Sequence, residues 1–134
     1  MARQNFFDRT ETAPGYARAV RVNDQIHVSG TTALDMDGRV VGSDAYAQTR
    51  EIYRKLAQAL AACGATLADV VRITAYITDM SQSEGFLRAH QEVFAAISPA
   101  AALIGVSALV KPELIVEIEA YAIAGATIDV TSGP

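Results

Sequence analysis

The chain has 134 residues, 51% hydrophobic and 19% charged, with a net charge of −4 at neutral pH. That length supports one packed core, with about two-thirds of the unfolded surface buried on folding, and excludes two. The composition also excludes a disordered chain, the apolar runs are too short to span a bilayer, and an acidic balance without a basic stripe argues against phosphate-directed nucleic-acid binding.

A single cysteine, Cys63, permits no intrachain disulfide, and Met1-Ala2-Arg3-Gln4-Asn5 leads into no apolar segment, so a soluble cytoplasmic protein is expected. Residues 1–134 read as one domain with frayed ends over 1–8 and 129–134. Ala19, Val20 and Val22, then Asn23-Asp24, then Ile26 and Val28 predict two short strands joined by a two-residue turn. Turn residues over 35–38 and then Val40-Val41 suggest a third, weak strand. From Ser43 or Asp44 as N-cap, Tyr46, Thr49, Tyr53, Leu56, Leu60 and Cys63 recur at helical spacing, and Gly64 stands where a helix ends with positive φ.

The run Val70–Ile77 is rich in β-branched residues and predicts a central strand. Ser81 and Glu84 match a capping box for a second helix with an apolar stripe of Phe86, Leu87, His90, Val93, Phe94 and Ile97, closed by Ser98-Pro99. Residues 103–106 and 114–123 predict two more strands. The order ββ(β)αβαββ implies an α+β layer pair, with two helices on one face of a mixed sheet and the other face needing a partner. On the last strand, Glu117 and Glu119 alternate with the apolar set among Ile115, Tyr121 and Ile123, which fits an interface containing a polar pocket. A small, alanine-rich chain of this hydrophobicity is consistent with burial of that face between copies.

Glu117 and Glu119, about 7 Å apart along one strand face, have the spacing of a general acid/base pair, although a solvated strand face explains them as well. His90 on an apolar helix stripe reads as packed and hydrogen-bonded or as functional, and His27 as exposed. Two distant histidines and one cysteine give no metal-ligand spacing, so no metal is expected. Cys63, in phase with Leu56 and Leu60, reads as a small hydrophobe rather than a nucleophile. Ser29-Gly30, at a strand end, is either an ordinary turn or a hydroxyl beside an unhindered amide that orients a ligand. Phosphate-binding glycine loops are absent from the sequence.

Together, Pro14-Gly15-Tyr16, Val28-Ser29-Gly30, Gly64-Ala65-Thr66-Leu67-Ala68-Asp69-Val70-Val71, Tyr76-Ile77-Thr78-Asp79 and Val116-Glu117-Ile118-Glu119-Ala120 resemble, in order and spacing, the Rid (YjgF-like) family, formerly L-PSP endoribonuclease. The resemblance runs from about Pro14 to Ile123. It implies a chorismate-mutase-like fold, a homotrimer with its helices outside and clefts between subunits, and cofactor-independent hydrolysis of small imines or enamines. By position it implies Glu117 and Tyr16 as catalytic groups and Ser29 and Gly30 as substrate-binding ones. Members with 2-iminoacid deaminase activity carry an arginine where this chain has Ala101 in Pro99-Ala100-Ala101, and that arginine grips the substrate carboxylate at two points. Arg88 is the nearest substitute, with His90 close to it on the same helix. The alternative is a trimeric binder of small metabolites that has lost the chemistry; a ribonuclease suits this acidic chain least.

Overall fold

In a computed structural model, residues 2–8, 10 and 13–126 are described. Six strands form one sheet: β1 (Arg3–Phe6), β2 (Ala19–Val22), β3 (Gln25–Thr32), β4 (Val70–Ile77), β5 (Ala100–Gly105) and β6 (Val116–Ile123), in the order β1-β2-β3-β6-β4-β5. Only β4 and β5 run parallel, so the sheet is mixed. Helices α1 (Ala45–Ala62) and α2 (Ser83–Phe94) pack against each other, and α1 lies across β3 and β6.

Local chemistry accounts for most of these boundaries. Asn23 turns the β2–β3 hairpin at φ 53°, within reach of an asparagine, and Val22 pairs with Gln25 across it. The Asp44 side chain accepts from the Ala47 amide and caps α1, and Gly64 at φ 79° ends it. Inside, Ile26, Ile52, Leu56, Leu60, Ile73, Ile77 and Ile118 are fully buried between helices and sheet. Each such side chain contributes about 1.5–3 kcal/mol from burial. The buried Gln48 ties two loops to α1: its amide donates to the carbonyls of Gly42 and Glu113, and its oxygen accepts from the Ile115 amide at 2.8 Å.

Six expectations need correction. The segment expected to fray at the start contains β1, whose residues pair with β2 along its whole length. Val40 makes only one isolated bridge, to Leu34, because the loop folds back on Asp35 rather than onto the sheet. The strand expected over 103–106 begins earlier, at Ala100, and the last strand begins at Val116 rather than at 114. The Ser81–Glu84 capping box does not form: Asp79 instead takes the Ser81 amide and hydroxyl, starting a single 3-10 turn that leads into α2. Leu87 is 46% exposed, since α2 faces the core through Phe86, Ala89 and Phe94. The expected end at 129–134 lies outside the described residues.

Candidate functional site

Strand β6 sorts its side chains by face. Val116, Ile118, Ala120 and Ala122 are buried beneath the helices, while Glu117, Glu119, Tyr121 and Ile123 are half-buried or exposed on the open side of the sheet. Cross-strand register brings other residues into that open layer: Tyr76 beside Glu117, Thr74 beside Glu119, and both Arg72 and His27 beside Tyr121. The two carboxylates therefore sit in one row with hydroxyl, phenol and cationic neighbours, a juxtaposition no single segment of sequence displays.

Strand β3 carries one extra residue between Val28, which faces Ala120, and Thr31, which faces Ile118. Such a bulge re-aims the backbone and is common beside functional sites. Here it holds Ser29-Gly30. The Glu117 carboxylate lies directly over Gly30, so that a Cβ built there would come within 2.8 Å of Glu117 Oε2. A residue without a side chain is what lets the carboxylate approach the bulge backbone.

Ser29 fastens the neighbouring turn to this bulge. Its hydroxyl donates to the Ala17 carbonyl at 2.6 Å, and its amide donates to the Arg18 carbonyl at 3.0 Å. Tyr16, 51% exposed, stands immediately before that contact, at the end of a turn closed by its own amide on Ala13. Ser29 and Gly30 are thus gathered with Glu117, and Tyr16 is leashed to them through Ala17.

Sequence reasoning missed Arg18. It is 2% exposed, and its guanidinium donates to the Ser29 carbonyl at 3.1 Å and to the Thr31 hydroxyl, bracing the bulge from beneath. Its only signal was a cation set between Ala17 and Ala19 in an otherwise apolar strand start. Tyr76 was also missed: its phenol donates to Glu119 Oε1 at 2.8 Å, a bond that raises the phenol pKa and keeps it a donor.

Three other candidates lie elsewhere in the chain. Arg88 belongs to the helical layer, its guanidinium 4.0 Å from the centre of the Tyr46 ring, across the sheet from Glu117. His90 is packed among Phe86, Phe94 and Tyr53, with its Nδ1 2.7 Å from the Tyr53 hydroxyl. Ala101 pairs with Ile73, which points to the helix side, so it is on the opposite face of the sheet from Glu117 and on an edge strand. Within one chain none of the three joins the Glu117 group. Cys63 is buried, and burial pushes its thiol pKa up, consistent with a packing role.

The His90 environment gives a pH expectation. Burial lowers its pKa from 6.5, so below about pH 6.5 the unfolded chain takes up a proton that the folded chain resists. Stability is therefore complete above that value and declines as pH falls through it. Thermal melts from about pH 7.5 to 5 should show a falling Tm, and His90→Gln, which keeps an acceptor for Tyr53 without titrating, should flatten the histidine-linked part of that slope. An unchanged slope in the variant would assign the loss to other groups.

The open row offers an acceptor carboxylate, a phenol and backbone groups around a bulge, a set suited to moving a proton and orienting a small polar molecule. Among the described residues no cluster of three His, Cys, Asp or Glu side chains could hold a metal ion, and no helix is long and apolar enough to cross a membrane. Residues 7–124 match the family model described as Endoribonuclease L-PSP. A RutC family protein of Pyrococcus abyssi is 32% identical over 91% of this chain and 98% of its own length. The crystal structure of Rv2704 of Mycobacterium tuberculosis, a member of the YjgF/YER057c/UK114 family, superposes with a TM-score of 0.82 at 40% identity, covering 92% of this chain and all of that one (100%). A conserved Rid family protein of Yersinia pestis gives 0.84 at 28% identity, covering 92% and 100%. With the sheet order, the helical layer and these matches in agreement, the chain belongs to the endoribonuclease L-PSP family, also called YjgF or Rid, and has its chorismate-mutase-like fold.

Proposed function

We propose that the protein is a cytoplasmic, cofactor-independent hydrolase of a small imine, enamine or related carbonyl compound, acting as a homotrimer in clefts completed by a neighbouring copy. The observation that carries this reading is the Glu117 carboxylate seated over Gly30 in the β3 bulge. In the proposed step Glu117 takes a proton from water as the oxygen adds to the C=N carbon. Glu117 returns that proton to nitrogen, which completes the carbinolamine, and then passes the carbinolamine's hydroxyl proton to nitrogen as the C–N bond breaks, releasing ammonia and the carbonyl product. Tyr16 closes the pocket, and the Ser29-Gly30 segment orients the ligand.

Ala101 narrows the substrate. A methyl side chain cannot grip a carboxylate, and loss of a charged two-point bond removes about 1.5–3 kcal/mol of binding, so ordinary 2-imino acids should be poor substrates. Because Ala101 and Glu117 lie on opposite faces of one sheet, a side chain at position 101 could serve a cleft only through a neighbouring copy. The same alanine favours a second reading, a trimeric metabolite binder without catalysis. Hydrolysis of 2-iminopropionate, generated in situ, separates the two. Weak wild-type turnover that rises in Ala101→Arg supports a competent catalytic cleft, whereas no turnover in either protein favours the binder.

The assembly has its own test. Ile123 is 38% exposed, and Tyr121 and Ile115 are only half-buried. A trimer that covers the open face would bury them. Light scattering at micromolar concentration should give a mass near three protomers, and a monomeric mass would remove the basis for intersubunit clefts.

A further inference from the structure

We infer that Arg18 is a positioning residue of the site proposed above, fixing the Ser29–Gly30 peptide over which the Glu117 carboxylate is seated. Such a role presupposes the hydrolase reading, since it is the Glu117 chemistry that the arginine serves. Arg18 lies between Ala17 and Ala19, both buried, and is itself 2% exposed. A guanidinium in that place adds little to stability, because the cost of taking a cation out of water offsets most of what its bonds return, whereas an apolar side chain of similar volume would extend the core. Its contacts, rather than its burial, account for it.

Those contacts converge on the β3 bulge. Arg18 Nη2 donates to the Ser29 carbonyl at 3.1 Å and to the Thr31 hydroxyl, and that hydroxyl in turn donates to the same Ser29 carbonyl at 2.9 Å. Guanidinium, hydroxyl and carbonyl thus close a triangle beside Gly30, with Thr31 fully buried. Asp8 brings a carboxylate to 4.0 Å from Nε of the same arginine. Because a peptide is planar, holding the Ser29 carbonyl also fixes the Gly30 nitrogen, and with Thr31 anchored as well Gly30 is set from both sides.

A bulge needs such an anchor. Its extra residue disrupts the regular ladder, so the backbone there has less cross-strand pairing to fix its orientation than the strand on either side. Glu117 feels any shift directly: Gly30 approaches so closely that a Cβ would come within 2.8 Å of Oε2 and 3.1 Å of Cδ. A catalytic group misplaced by about 1 Å can cost about 10²-fold in rate. Arg18 and Thr31 are buried within the one chain, so a neighbouring copy on the open face leaves the bonds between them in place.

Two variants break the triangle without removing the charge. Thr31→Val keeps the shape and loses the hydroxyl; Arg18→Lys ends one bond short of Nη2 and has no planar fork. In the Ala101→Arg background each should lower 2-iminopropionate turnover at least about tenfold, and Thr31→Ser, which restores the hydroxyl, should recover most of it. By NMR of the full-length assembled protein, the side-chain carboxyl carbon resonance of Glu117 should move in both variants while that of Glu119, held by Tyr76, stays. A residue that only stabilises the fold would leave the Glu117 resonance in place in any variant that remains folded, as judged by unchanged assembled mass and a cooperative melt. Turnover undiminished in both variants, or an unmoved Glu117 resonance, overturns the role of Arg18 while the hydrolase reading stands. Loss of assembly in both assigns Arg18 to the fold and overturns that role equally. Turnover in Ala101→Arg that is absent, or that survives Glu117→Gln, fails the hydrolase reading itself and the role of Arg18 with it.

Discussion

Glu117→Gln is expected to lower imine hydrolysis by about 10²-fold or more, the loss that follows removal of a positioned acid/base group. The measurement belongs in the Ala101→Arg background, where turnover of 2-iminopropionate should be large enough to quantify. Glutamine preserves the size of the side chain and its packing against Gly30 but cannot take a proton from water. Gly30→Ala should reach a similar loss by another route: its Cβ would fall 2.8 Å from Glu117 Oε2, closer than real atoms sit, and would displace the carboxylate from the bulge. The pair is informative because the alanine leaves the carboxylate chemically intact and changes only its position. Activity that survives both substitutions would remove Glu117 from the reaction and leave the metabolite-binding reading in its place.

The largest expected effect on stability is at Gln48, a fully buried side chain whose three hydrogen bonds join α1 to the loops at Gly42 and at Glu113 and Ile115. Gln48→Leu keeps the volume and removes the donors and the acceptor together. Each buried or half-buried backbone group left without a partner costs about 1–3 kcal/mol, and water can reach part of this region, so a total of about 2–4 kcal/mol is expected. Urea unfolding should show a lower midpoint with an unchanged slope. A loss below about 1 kcal/mol would mean that the loops hold their positions without the glutamine.

The Glu117 and Gln48 examples divide what was legible in the chain from what was not. The Asn23-Asp24 hairpin, the Asp44 cap, the Gly64 stop and the alternation of β6 were all readable, because each depends on neighbours a few residues away: a turn that accepts positive φ, a side chain that reaches a free amide, or a period of two. The family motifs added the fold and brought Tyr16, Ser29, Gly30 and Glu117 forward as one group. The capping box at Ser81 failed for an equally local reason, since Asp79 competes for the same amide and hydroxyl and wins.

By itself, then, the sequence determined the helices, the central strands, the polar row on the last strand and the family to which they belong. Tertiary structure decided which residues share that row. The strand order places β6 between β3 and β4, and the bulges in β3 and β4 shift the register by one residue each, bringing Gly30 beneath Glu117 and turning Arg72 to the open face. It also put Ala101 on the opposite face and locked His90 against Tyr53. Register across strands distant in sequence is fixed by the packing of the whole sheet against its helices, and a one-residue shift reverses the face of every side chain beyond it, so no local pattern can announce it.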